Sequence, residues 1–123
     1  MEPIKVADEV WIGTALLHLE QPDRESFSTA EIVDRVFQEG LHRPLRPGVQ
    51  IHATQHCVAN KRPNPGNYRM LYETGRGQRR LYRHTDEAHP YRAGGKTVPP
   101  RSDMPEKYGY LVDWYETVYV REN

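Results

Sequence analysis

The run Phe27-Ser28-Thr29-Ala30-Glu31-Ile32 marks a helix start sharply. The Ser28 hydroxyl is spaced to accept from the Glu31 amide, while the Glu31 carboxylate reaches back to the Ser28 amide, a capping box. Phe27 before the cap and Ile32 inside it suit a hydrophobic staple, and Phe27 is also placed for a very short strand. Beyond the cap, Ile32, Val33, Val36 and Phe37 recur at helical spacing as a buried face. Gly40 then suits the left-handed position that closes a helix.

Toward the N-terminus, Trp11, Ile12, Ala15, Leu16 and Leu19 make an apolar stripe, which predicts a helix from Val6 to Leu19. Pro22 stops it, because proline brings no amide hydrogen to the helix ladder. Toward the C-terminus, the turn-rich link Leu41–Arg46 leads to Pro47 and a third helix reaching about Val58. Val49, Ala53 and Cys57 lie four apart and predict its buried side. Gln50, His52, Thr54 and Gln55 occupy the rest, with Ile51 and Val58 roughly opposite the core.

Asn60 to Asn67 carries Pro63, Pro65 and Gly66 and reads as loop. The runs Tyr68–Thr74 and Gln78–Arg83 then bracket Gly75-Arg76-Gly77, the pattern of a β-hairpin. From His84 to Met104, Pro90, Gly94, Gly95, Pro99 and Pro100 leave little to bury, and either a mobile linker or a segment that orders on a partner is expected. Pro105 opens a last helix to about Val120, striped by Tyr108, Leu111, Trp114, Tyr115 and Val118. The expected fold class is α+β: three helices and a hairpin over residues 1–84, an extended linker over 85–104, and a C-terminal helix over 105–123. That last helix is expected to pack on its own domain or on the partner of a homodimer.

Formal net charge is zero, but it is unevenly placed. Residues 1–39 hold three bases against nine acids, a net of −6, and residues 40–101 hold twelve against three, a net of +9. Residues 102–123 hold two against five, a net of −3. Folded together, such segregation predicts one positive face of the kind that binds polyanions.

Catalytic patterns are weak. His52, His56 and Cys57 are potential metal ligands, yet no glutamate completes a His-Glu-x-x-His motif and there is no second cysteine. His56 and Cys57 are adjacent on a helix and point about 100° apart, so they make no nucleophile–base pair. Gly75-x-Gly77 lacks the strand-to-helix context of a phosphate cradle. Neither enzyme activity nor a cofactor or metal is expected. The opening Met1-Glu2-Pro3-Ile4-Lys5 lacks a secretory pattern, no apolar run approaches about 18 residues, and Cys57 has no disulfide partner. A cytoplasmic protein without a membrane span is expected.

The order helix, short strand, helix, helix, hairpin resembles the winged helix-turn-helix superfamily. It resembles in particular prokaryotic winged-helix domains found beside restriction-type nucleases. The likeness rests on Phe27–Ile32, on Val49–Asn60 and on Arg76-Gly77-Gln78-Arg79-Arg80-Leu81-Tyr82, and it spans Val6 to Arg83. It implies sequence-specific or structure-specific binding of double-stranded DNA, with transcriptional regulation as the expected role. The third helix would enter the major groove with Gln50, His52, Thr54 and Gln55. Arg46, Lys61 and Arg62 would hold phosphates, and Arg76, Arg79 and Arg80 would form a basic wing. The competing expectation is a non-catalytic protein-interaction module or adaptor using the same surface.

Overall fold

Helix α1 (Val6–Glu20) forms the axis of the molecule in the computed structural model, which describes residues 3–121. Met1 and Glu2, with which the first expected segment begins, and Glu122 and Asn123, with which the last one ends, lie outside the described residues. Every residue of α1 from Ala7 to His18 is buried, not only the expected stripe. Neighbours on all sides explain this: α1 packs against helix α2 (Thr29–Glu39), the third helix, the sheet and the C-terminal helix. Leu19, expected in the stripe, lies past this enclosure and is exposed.

Helix α2 begins as its sequence dictates. Ser28 Oγ accepts from the Glu31 amide at 3.0 Å, and Glu31 Oε1 accepts from the Ser28 amide at 2.9 Å. Arg24 and the Ser28 amide together hold the Glu31 carboxyl down to about 2. The helix closes on Gly40 at φ 66°, a left-handed conformation that glycine adopts without a steric penalty. Ile32 and Val36 are buried, and a Cβ on Gly13 of α1 would stand 2.6 Å from Val36 Cγ2, so α1 and α2 meet at a hydrogen in place of a side chain. Phe37 departs from expectation. It lies about 100° around the helix from Val36 and is 55% exposed.

Strands β1 (Phe27–Ser28), β2 (Leu71–Gly75) and β3 (Gln78–Leu81) form an antiparallel sheet in the order β1-β3-β2. Phe27 pairs with Arg79 on one side of β3, and Glu73 pairs with Arg79 on the other. The third helix, α3, is α-helical only over Gly48–Ile51 and continues as a π-helical turn over His52–His56. It is therefore shorter than expected. Val49, Ala53 and Cys57 are buried as the spacing requires and Ile51 is exposed, but Val58 is buried because the helix has already ended.

The C-terminal helix α4 (Gly109–Thr117) is flanked by single 3-10 turns instead of running unbroken from Pro105 to Val120. It packs on its own domain. The Tyr115 ring meets Trp11 edge-on at 5.8 Å, and the Tyr115 hydroxyl donates to the Tyr82 carbonyl. Tyr119 Oη donates to the Leu81 carbonyl at 2.8 Å, and Tyr108 Oη donates to Glu39. Of the five side chains expected at a dimer contact, Tyr108, Leu111 and Tyr115 are buried within the chain, Trp114 is half-buried and only Val118 is exposed. Over the described residues the architecture is α+β, with four α-helices and a small antiparallel sheet.

The stretch 85–104 is not an extended linker. Arg92 is fully buried and donates to the carbonyls of Lys61 (2.6 Å), Tyr68 (2.6 Å), His56 (2.8 Å) and Gln55 (2.9 Å). Arg69 reaches the Gly95 carbonyl at 2.9 Å, and a Cβ on Gly95 would lie 1.9 Å from the Asn67 carbonyl oxygen. Lys96 Nζ stands 2.8 Å from Asp8 Oδ1 in the first turn of α1, where burial raises the Asp8 pKa against the pull of the ammonium. A segment poor in apolar residues is thus docked by cations.

Candidate nucleic-acid interface

Arg79 fixes the hairpin to the third helix. It is 2% exposed, and its Nε donates to the Ala53 carbonyl at 3.1 Å while Nη1 reaches Glu73 Oε2 at 3.1 Å. Asn60 completes the junction: its amide donates to the Glu73 carbonyl at 3.0 Å and its side-chain oxygen accepts from the Glu73 amide at 2.9 Å. The end of the third helix therefore lies directly against β2 and β3. The exposed hairpin turn at Arg76 begins three residues past Glu73, about 10 Å along the ribbon.

The ten residues expected to meet DNA divide accordingly. Gln50, Arg62 and Arg76 are exposed. Thr54 and Gln55 are half-buried; Thr54 Oγ1 donates back to the Gln50 carbonyl at 2.9 Å, and Gln55 Nε2 donates to the Arg62 carbonyl at 3.0 Å. Lys61 is half-buried with Glu73 at 3.5 Å, and Arg46 donates to Glu9 at 2.8 Å and to the Ile4 carbonyl at 2.8 Å. His52 does not project freely. Its Nδ1 lies 2.8 Å from the Gly48 carbonyl, its ring packs on His56 and Tyr68, and burial lowers its pKa, which favours the neutral ring.

Arg79 and Arg80, expected in the basic wing, are buried. Arg80 is 7% exposed, forked onto Asp86 with two bonds of 2.7 Å and stacked over Tyr72 at 4.6 Å. Both side chains satisfy backbone carbonyls and carboxylates inside the fold and present no donor to a phosphate. The basic wing is reduced to its tip.

Arg46, Lys61, Arg79, Arg80, Lys96 and Arg101 all face carboxylates, on Glu9, Glu73, Glu73, Asp86, Asp8 and Asp113. Arg92 is consumed by its carbonyl cage. Arg46 and Lys96 cross to the first helix, Lys61, Arg79 and Arg80 pair within the basic middle, and Arg101 pairs with the last helix. Among the described cations of residues 40–101, Arg43, Arg62 and Arg76 stay exposed with no ion pair. Arg43, whose guanidinium lies beside Gly40 at the end of α2, and Tyr91, 68% exposed beside Arg62, were not singled out by the sequence. A large aromatic in an otherwise polar loop was the available signal for Tyr91.

Cys57 is wholly buried, and burial pushes its thiol up, away from the nucleophilic thiolate. Among the described residues no group of three or more His, Cys, Asp or Glu side chains is placed to hold a metal ion. No described helix is long and apolar enough to cross a membrane. Comparisons with family models, with curated proteins and with solved structures found no match.

Proposed function

We propose that this chain is a non-catalytic winged-helix protein that binds double-stranded DNA, in the manner of a transcriptional regulator. The observation that supports the reading is the Arg79 junction, which ties strand β3 to the third helix at the Ala53 carbonyl, with the exposed hairpin turn carried beyond it. Gln50 on that turn would meet base edges, with half-buried Thr54 beside it. Arg62 and Arg76 would hold phosphates on either side, whereas Lys61 and Arg46, expected to do the same, are occupied by Glu73 and Glu9. Because so many cations are neutralised inside the fold, few phosphates would be engaged, and binding would be weaker and less steep in salt than the sequence charge suggests.

The test is duplex affinity over a salt series. A wild-type slope of about −2 to −4 in log K against log salt is expected. Arg62→Gln/Arg76→Gln should flatten it by about 2, since each lost phosphate contact removes nearly one unit. An unchanged slope in the double variant would remove these two residues from the interface.

One observation favours the competing reading of a protein-interaction surface. Ile51 is 44% exposed on the third helix, directly beside Gln50. An apolar side chain there suits the contact core of a protein partner. Absence of duplex binding at low salt would favour that reading.

A further inference from the structure

Tyr91 is the most exposed large hydrophobic side chain among the described residues, yet its backbone is held on both sides. The His89 amide donates to the Ala59 carbonyl at 2.8 Å, and the Tyr91 amide donates to His89 Nδ1 at 3.1 Å. Arg92, the next residue, is the guanidinium caged by four carbonyls. An exposed ring on a loop ordinarily swings with that loop; here the fold holds it up on a fixed pedestal at the end of the third helix. The exposed Arg62 guanidinium lies over one face of the ring, 5.5 Å from its centroid, leaving the other face for a ligand, and Gln55 fixes the Arg62 backbone through its carbonyl. Arg62 has no carboxylate partner among the described residues.

A flat π surface beside an unpaired, planar cation matches one ligand chemistry closely. A nucleotide offers a base face for the ring and a phosphate for the guanidinium. Bases inside an intact duplex have both faces covered by their neighbours, so the ring can stack only on an unpaired one. We propose that Tyr91 and Arg62 form a stacking site for an unpaired nucleotide flanking the duplex, so that the protein prefers duplexes carrying a single-stranded tail. The inference rests on the DNA-binding reading and narrows it from sequence recognition toward recognition of DNA structure.

The experiment compares a blunt duplex with the same duplex bearing a short tail on one strand, 5′ or 3′, by fluorescence anisotropy. A second readout is 2-aminopurine in the tail, whose emission drops when it stacks. Wild type is expected to bind one tailed form roughly tenfold more tightly than the blunt form, with quenching of the tail probe. In Tyr91→Ala the ratio should fall to about one and the quenching should vanish, while Tyr91→Phe, which keeps the π face, should retain both. Tyr91→Ala should melt with wild type, since the ring is not in the core. Equal wild-type affinity for blunt and tailed forms overturns the stacking site while leaving duplex binding standing. A preference that survives in Tyr91→Ala also overturns it. Binding to neither form removes the DNA reading and the stacking site together.

Discussion

Replacing Arg92 by Met is expected to destabilise the protein by on the order of 3–5 kcal/mol, read by urea unfolding, although position 92 lies in a loop. The last carbonyls of a helix have no partner within it, and the π-helical turn of α3 delivers the carbonyls of Gln55 and His56 to one spot. The Lys61 and Tyr68 carbonyls converge there too, so one guanidinium satisfies four acceptors. Methionine fills much of the same space but donates nothing, leaving those carbonyls dry and unpaired. Arg92→Lys keeps the charge without the planar fork and should recover only part of the loss. Against a typical domain stability of about 5–15 kcal/mol the effect is large, and Arg62→Met, at an exposed position, should stay within about 0.5 kcal/mol. Near-equal effects of Arg92→Met and Arg62→Met would show that the caged arginine does not anchor the loop.

Acidification should weaken the fold through His18, well before the carboxylates titrate. His18 is 7% exposed and enclosed by Phe27, Tyr119 and Trp114, and its Nε2 accepts from the Leu81 amide at 3.2 Å. Protonation would set a donor against that donor. Burial, with Arg83 and Arg80 adding their charge, lowers its pKa from 6.5 to about 3. The unfolded chain therefore binds the extra proton between these values, and stability falls as pH drops below 6.5. The limiting slope is about 1.4 kcal/mol per pH unit, so about 2 kcal/mol is lost between about pH 7 and pH 5. His52, also lowered by burial, adds in the same direction, whereas Asp8, raised by burial, opposes it. His18→Gln keeps an acceptor for Leu81 and does not titrate. Its loss over the same interval should be smaller by about 2 kcal/mol, and an equal loss would contradict the neutral-histidine account.

What the sequence made legible was local. The capping box at Ser28 and Glu31, the left-handed Gly40 and the hairpin around Arg76 each depend on residues within a few positions of one another, and each is found. The apolar spacing of Val49, Ala53 and Cys57 likewise located the inner side of the third helix. Arginine was not legible, because the same side chain serves a phosphate or a buried carbonyl. Arg79, Arg80 and Arg92 read as free positive charge until the fold supplies Ala53, Asp86 and the carbonyl cage. Glu9 and Arg46 stand 37 positions apart, and nothing near either announces the pair. The docking of 85–104 rests on Arg92 and Lys96, and no apolar spacing in the segment marks it. The enclosed α1 shows the converse, since Asp8 and Glu9 sit in its buried first turn only because Lys96 and Arg46 meet them there.

On the proposed reading the third helix and the hairpin tip form one DNA-facing surface. Amide chemical-shift mapping during titration with duplex DNA at low salt tests it residue by residue. The expected result is a contiguous set of perturbed amides at Gln50, Ile51, Thr54, Lys61, Arg62 and Arg76, growing with DNA and reversed by salt. Perturbations centred instead on the groove of Leu19, Trp114 and Val118, or none at saturating DNA, would contradict it.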